Sequence, residues 1–229
     1  MKVVALLPMK ANSERVKGKN FRDFAGKPLY RWMLDTLLSV EEIDLIVINT
    51  DARAILADDG LSEYTTVRIR DRREEICGDM VSMNLIIEDD INNVEADIFL
   101  MTHTTNPLLN RVSVKAAISD FKKALQDGRA DSLFTVNKVQ DRFYDRNVVP
   151  INHDPNNLIR TQDLEPWYQE NSNLYLFTKK SFLQTQARIG TNPMMLETAP
   201  YESTDIDTPS DWDLGEVMVD YYRKKGLLE

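Results

Sequence analysis

The stretch "VVALLPMKANSERVKGKN", residues 3 to 20, sets two chemistries end to end: an apolar run that stops at Leu7-Pro8, then a loop crowded with cations. Residues without polar alternation over Val3 to Leu7 predict a strand covered on both faces, the kind found in α/β sheets. In open sheets of that kind ligands sit at the carboxyl ends of the strands, which is where this loop begins. Residues 10 to 27 hold six basic side chains against two acidic, a net of +4, in a chain of formal net charge −9, which leaves −13 for everything else. Cations gathered at a strand end in an acidic chain point to a small anion, although on composition alone a solvated basic loop is the competing reading. Lys10, Arg15, Lys17 and Lys19 offer charge for phosphate oxygens, Asn12 and Ser13 offer small polar groups, and Gly18 lets backbone approach a ligand. The Walker pattern GxxxxGK[ST] is absent, so this is not a P-loop.

Working outward, short runs rich in Val, Ile, Leu and Phe alternate with helical patterns. A helix is expected from about Pro28 to Leu38, a strand at 45–50 ("LIVINT"), a short helix near 52–58 and a strand at "TVRI". A helix near 82–91, a strand at "DIFLMT" (97–102), a helix over 111–126 and a strand at "SLFTV" (132–136) follow. This βαβ order reads as an open, largely parallel α/β sheet in one domain spanning 1–229. Regularity fails between 138 and 172, a stretch rich in Asp, Asn, Pro and Arg that reads as an excursion. "NLYLFT" (173–178) returns to the sheet. A last helix runs from Pro209 to about Lys225, with Thr208, Pro209 and Asp211 at N-cap, N1 and N3 and Gly226 at its end.

With 229 residues, 42% of them hydrophobic, the chain can build one sizeable core. An acidic chain with one short basic window lacks the broad positive face that nucleic acid requires, so no nucleic-acid partner is expected. The single cysteine, Cys77, permits neither a disulfide nor a CxxC metal site and suits a reducing cytoplasm. No apolar run approaches the ~20 residues that span a bilayer, and "VVALLP" is too short for a signal peptide, so neither a membrane nor a secretory route is expected. The acidic cluster Glu88-Asp89-Asp90 reads as a solvated helix end, Met194-Met195 as core, and Trp32, Trp167 and Trp212 as packing residues.

A second signal is "TDIDTPSDW" (204–212). Residues two apart in an extended segment face the same way, so Asp205 and Asp207 can reach one cation while Ile206 points to the core. Two carboxylates supplemented by phosphate oxygens suit Mg²⁺. Capping of the last helix is the competing role, but Thr208 already supplies that cap.

The first loop resembles that of the cytidylyltransferases that activate acidic sugars, the acylneuraminate (CMP-sialic acid) synthetases and their KDO-activating relatives. Their loop is close to P-A-R-x-x-S-K/T-x-x-P-x-K-N, and Pro8, Lys10, Ser13, Arg15, Gly18, Lys19 and Asn20 stand in register. Glu14 departs from the sialate-type Lys, whereas Arg15 matches the S-T-R form of the KDO enzymes. "FAGKPLYRWMLDTL" resembles the family's G-K-P-L helix, "INTD" its S-T-D strand end, and "RREEICGDMVS" its R-P-x-x-L-x-x-D segment, which puts Arg72, Asp79 and Ser82 in the cytidine-binding region. "THTTNPLL" resembles Q-P-T-S-P-L, with His103, Thr105 and Asn106 as substrate contacts, and "NSNLYLF" a drifted N-G-A-I-Y strand with Asn171 and Tyr175 in register. "TDIDTPSD" resembles the D-x-D-T-x-x-D/E ending.

The resemblance implies a Rossmann-like, nucleotide-diphospho-sugar transferase-like fold and coupling of CTP to an acidic, nonulosonic-type sugar with release of pyrophosphate. It assigns Arg15, Lys19 and Asp207 to catalysis, and Lys10, Ala11, Asn12, Ser13, Arg15, Lys19, Asn20, Arg72, Asp79 and Ser82 to the nucleotide. Asp205 and Asp207 go to Mg²⁺. The sugar carboxylate also needs a cation, for which Arg142 and Arg160 of the excursion are candidates, and the excursion is expected to be a dimerisation arm of a homodimer. A KDO-type or phosphonate acceptor, or a catalytically silent nucleotide-binding homologue, stay open as alternatives.

Overall fold

The computed structural model describes residues 1–57, 60–61 and 64–227. Strands β1 (Val3–Leu6), β4 (Leu45–Thr50), β5 (Val67–Asp71) and β6 (Ile98–Thr102) run parallel, with β1 between β4 and β6. The sheet continues through β8 (Trp167–Phe177), antiparallel to both β6 and β7 (Ser132–Val139), and ends at β9 (Pro193–Glu197), parallel to β7. The order across its seven strands is therefore β5-β4-β1-β6-β8-β7-β9, a mixed and mostly parallel sheet. A short hairpin, β2 (Asp23–Phe24) with β3 (Lys27–Pro28), closes the first loop.

Every residue of β1, β4 and β6 is buried, as unbroken apolar runs require. Alternate side chains fill opposite faces. Val3, Ala5, Ile46, Ile48, Ile98 and Leu100 pack under helices α1 (Leu29–Leu38) and α4 (Arg111–Gln126). Val4, Leu6, Val47, Phe99 and Met101 pack with Ile87 and Ile91 of α3 (Met83–Asn93) and Phe182 of α5 (Lys179–Thr185). A third cluster joins Val16, Phe24, Leu29, Trp32, Leu108, Ile206, Trp212 and Val219, fixing the first loop to α6 (Pro209–Lys224).

The expected strands and helices are recovered within a few residues, and α4 matches the expected 111–126. The part of the expected 52–58 helix at Asp58 lies outside the described residues, the rest being α2 (Arg53–Leu56). Pro28 caps α1 from a strand position instead of lying inside its first turn. Strand β8 begins at Trp167, six residues before the expected return, because its first half pairs with β7 from Val136 to Val139. The irregular part of the excursion is thus 140–166, with Phe143 stacked on Trp167 at 5.0 Å between ring centres. Trp32 and Trp212 are core residues, as is Met194 in part, but Met195 is exposed.

One expectation is overturned. Asp89 and Asp90 are buried mid-helix, not solvated at a helix end. Arg70 of β5 pairs with both, at 3.1 Å to Asp89 and in a close contact with Asp90, while Arg73 reaches Asp89 at 3.0 Å and Asn49 donates to Asp90 at 2.8 Å. Sequence periodicity could not show this, because the partners come from a strand that pairs with β4 some distance away in the chain.

The two aspartates are not equivalent. One oxygen of Asp90 is buried without a partner, and burial raises its carboxyl to about 6 despite Arg70 and Asn49. A folded-state value above the unfolded one means that the folded protein holds the proton more tightly, so the stability owed to this group is greatest below the ordinary carboxylate range and is lost as pH rises toward 6. Asp90→Asn should therefore cost little at pH 7, whereas Asp89→Asn, which strips a buried carboxylate from two arginines, should cost on the order of 3 kcal/mol. Urea denaturation midpoints at pH 5 and pH 7 check this; a larger loss for Asp90→Asn at pH 7 would reverse the assignment.

Candidate active site at the carboxyl edge of the sheet

The loop after β1 leaves at the carboxyl edge, and Gly18, with φ of +62°, makes the turn that sends Lys19 inward. Val16 anchors the loop in the third apolar cluster beside Ile206. Lys19, 8% exposed, donates to the Ile206 carbonyl at 2.8 Å and to Asp207 Oδ1 at 2.9 Å. Arg15 donates to the other oxygen, Asp207 Oδ2, at 2.9 Å. Two cations from the first loop thus grip one carboxylate from the far end of the chain. The paired cations pull the Asp207 carboxyl below the usual range against the opposing effect of its partial burial.

Asp205 behaves oppositely: enclosure by protein on its inner side, together with the neighbouring negative charges of Asp207 and Asp211, raises its carboxyl, although part of the residue faces solvent. Thr105 hydrogen-bonds the Asp205 side chain, and the Thr105 carbonyl accepts from Ile206 N at 2.8 Å, so the "THTTNP" turn after β6 holds the aspartate segment in place. Ile206 is fully buried, as the i, i+2 reading requires. Gly215 of α6 makes room for it, since a Cβ there would stand 2.6 Å from Ile206 Cδ1. The α6 cap is formed by Thr208 and Asp211, which exchange reciprocal hydrogen bonds. Asp205 and Asp207 are therefore not needed for capping.

The remaining loop residues divide. Lys10 is ion-paired with Asp79, which brings two expected nucleotide residues together. Ala11 N donates to Asp51 Oδ1 at 2.7 Å, and Asn20 links the Lys10 carbonyl to Thr104. Asn12 and Ser13 make no hydrogen bond among the described residues. Arg72 is committed to structure: it donates to the Met9 carbonyl, the Asn49 carbonyl and Asn49 Oδ1, tying the ends of β1 and β4 together. Burial lowers its pKa. Ser82 caps α3 by accepting from Asn84 N.

Among the expected substrate residues, His103 lies at the edge, near Arg188, Asp207 and Lys19, and burial with the adjacent cations pushes it down to about 4, leaving a neutral imidazole. Asn106 is buried, with Nδ2 lacking a protein acceptor. Asn171 is absorbed in a network with Asn137, Thr198 and Thr135 at the irregularity between β7 and β8. The Tyr175 hydroxyl donates to Glu170, and burial raises it to about 12. Arg142 and Arg160 bond within the excursion, to the Ile159 carbonyl and to Asp163, and no contact brings either to the loop. Sequence reading missed Asp51, Thr104, Glu170 and Arg188. Asp51 ends the quoted "INTD", so a signal for it existed; Arg188 stands on a connection with no motif.

Among the described residues no group of three or more His, Cys, Asp or Glu side chains is placed to hold a metal ion by itself. The carboxylate pair fits a hard cation whose other ligands are phosphate and water oxygens, as Mg²⁺ demands. A cavity of about 360 Å³ between α1, the start of α4 and the end of α6, lined by Lys27, Trp32, Arg111 and Tyr201, contains none of these groups. The candidate site is the group of charged side chains at the carboxyl edge of the sheet.

Known proteins share both the sequence and the fold of this chain. A CMP-N,N'-diacetyllegionaminic acid synthase from Legionella pneumophila is 27% identical, covering 96% of this chain and 97% of that protein. A pseudaminic acid cytidylyltransferase from Campylobacter jejuni is 24% identical over 95% of this chain and 96% of its own length. An N-acylneuraminate cytidylyltransferase from Oncorhynchus mykiss is 25% identical, and this chain spans 50% of its length. Among solved structures, a CMP:2-keto-3-deoxy-manno-octonic acid synthetase complexed with CTP superposes with a TM-score of 0.66 at 14% identity, over 98% of this chain and all of that one. A 4-diphosphocytidyl-2C-methyl-D-erythritol synthase from Anaerococcus prevotii gives 0.67 at 16% identity over 96% of each chain, so the nucleotide-diphospho-sugar transferase fold is shared. The family model for cytidylyltransferases matches residues 4–224, and the chain belongs to the cytidylyltransferase family.

Proposed function

We propose that this enzyme transfers CMP from CTP to a hydroxyl of an acidic, nonulosonic-type sugar and releases pyrophosphate. The observation that carries the reading is the meeting of Arg15 and Lys19 with Asp207, beside Asp205, at the carboxyl edge of the sheet. Support also comes from the names of the full-length relatives, which act on legionaminic and pseudaminic acids.

On this reading the sugar oxygen forms a bond to the α-phosphorus as the bond from that phosphorus to the β-phosphate bridging oxygen breaks, and the hydroxyl proton is released to water. No covalent enzyme intermediate is needed. The protein lowers the barrier by holding the reactants in line and by neutralising oxygen charge. Lys19, fixed by the Ile206 carbonyl, and Arg15 face the phosphates; Lys10 joins them by exchanging Asp79 for a phosphate oxygen. Asp205 and Asp207 would hold Mg²⁺. When bound, the metal supplies charge neutralisation for the triphosphate.

The lone cysteine and the proposed use of CTP favour a cytoplasmic reaction, whose product would serve a later glycosyl transfer. No helix among the described residues is long and apolar enough to cross a membrane. The excursion serves as a dimerisation arm of a homodimer: it exposes Val148, Val149, Ile151, Leu158 and Ile159, apolar surface that a second copy would cover.

Pyrophosphate release, followed over acidic eight- and nine-carbon sugars with each of the four NTPs, should be seen with CTP and at least one of these sugars. Release with UTP at an equal rate, or none with any acidic sugar, would reject the reading. Asp205→Asn and Asp207→Asn should each lose at least ~10²-fold in kcat, as expected when one charge-stabilising group is deleted; Tm should hold in Asp205→Asn and fall in Asp207→Asn, which leaves the buried Lys19 amine without its anion. Sedimentation at micromolar concentration should report a dimer that becomes monomeric when Val149 and Ile159 are changed to Asp; a wild-type monomer would remove the arm from the account.

A further inference from the structure

Arg188 lies on the connection between α5 and β9, and its surroundings are unusual for a surface arginine. The guanidinium carbon is 3.9 Å from the centre of the Tyr175 ring, so the cation rests on an aromatic face. Nη1 is 3.9 Å from Met101 Sδ, a weak acceptor. Nη2 is 3.9 Å from Glu170, at the outer limit of an ion pair, and that same carboxylate oxygen already accepts from the Tyr175 hydroxyl. Only 22% of the Arg188 side chain is exposed. A cation this enclosed ordinarily has a close anion, and a guanidinium has five N–H donors to satisfy. Here the protein supplies one distant, shared carboxylate.

The position is as informative as the unmet demand. Met101 is the register partner of Leu6 in β1 and of Tyr175 in β8, so Arg188 sits at the end of β6, next to the strand from which the cationic loop departs. His103, just past the end of β6, is pushed down by burial and by the positive charges of Arg188 and Lys19, with the negative charge of Asp207 opposing, so Arg188 shares its neighbourhood with a cation of the first loop. Two groups of charge therefore meet at this edge: Arg15, Lys19 and Asp207 bond to one another, and an under-compensated guanidinium is held apart from them by β6 and β8. A reaction joining a triphosphate to an acid needs two separate places for negative charge.

We propose that Arg188 receives the carboxylate of the acceptor sugar, with Tyr175 holding the guanidinium flat for a two-pronged contact and Glu170 as the protein carboxylate that the ligand displaces. The inference rests on the functional reading above and refines it, by giving to Arg188 the task that Arg142 and Arg160 were candidates for. Those two make local contacts in the excursion, and Arg160 has 72% of its side chain exposed beside Asp163.

The test compares wild type, Arg188→Met, Arg188→Lys and Arg142→Met, using the acidic sugar that wild type turns over and the same sugar with its carboxylate converted to the carboxamide. Arg188→Met should raise KM for the acid about 10- to 100-fold, the scale of losing a hydrogen-bonded ionic partner, and leave KM for CTP unchanged. The preference of wild type for acid over amide should collapse in that variant. Arg188→Lys should retain part of the preference, which keeps the test decisive if the Met variant folds poorly. An unchanged acid KM in Arg188→Met, an equal rise for acid and amide, or a carboxylate-specific loss in Arg142→Met instead would overturn the proposal. If wild type turns over no acidic sugar at all, the functional reading falls first, and this inference with it.

Discussion

The contact on which the rest depends is that of the Lys19 amine with Asp207 and the Ile206 carbonyl. An ammonium group this enclosed is stable only beside an anion, and its partner comes from the opposite end of the chain. The loop must therefore close on the aspartate segment for either to hold its position. Val16 and Ile206 lie in one apolar cluster beneath the ion pair, Thr105 grips the segment from β6, and Gly215 lets α6 approach closely enough to press Ile206 into place. Packing, not the charges alone, sets the geometry.

This arrangement answers the question of why an acidic protein concentrates cations in one loop. Much of the loop's charge is already matched by the protein: Lys10 by Asp79, and Lys19 and Arg15 by the single carboxylate of Asp207. Arg15 and Lys19 share the one carboxylate of Asp207, which keeps the loop ordered before a polyanion arrives, while the +4 balance of residues 10–27 attracts it. A nucleotide carrying its own Mg²⁺ would relieve the competition, since the metal gives Asp207 a new partner as the phosphates take up the lysine and arginine.

Much of this was legible before any coordinates. Unbroken apolar runs marked β1, β4 and β6, and the Thr-Pro-x-Asp signature placed α6, because burial on both faces and capping chemistry are local properties of sequence. The i, i+2 spacing of Asp205 and Asp207 around buried Ile206 was likewise local. What escaped was non-local. The first half of β8 is mostly polar and becomes a strand only because β7 offers it an edge, and β9, with only alternate residues partly buried, likewise depends on β7. Asp89 and Asp90 look like a solvated cluster until Arg70 of β5 and Arg73, just past its end, arrive. Arg188 carries no motif, and its importance comes from the sulfur that β6 and the ring and carboxylate that β8 place around it.

We propose that Asp207 restrains Arg15 and Lys19, the cations proposed above for the phosphates, until a metal takes their place. Calorimetric titration of CTP into wild type and Asp207→Asn, with and without Mg²⁺, addresses it directly. Without Mg²⁺ the variant should bind CTP more tightly than wild type, because Arg15 and Lys19 no longer compete with a protein carboxylate. With Mg²⁺ the order should invert, because wild type alone keeps the full pair of carboxylates for the metal. Weaker binding by Asp207→Asn in both conditions, or an unchanged response to Mg²⁺, would contradict the account.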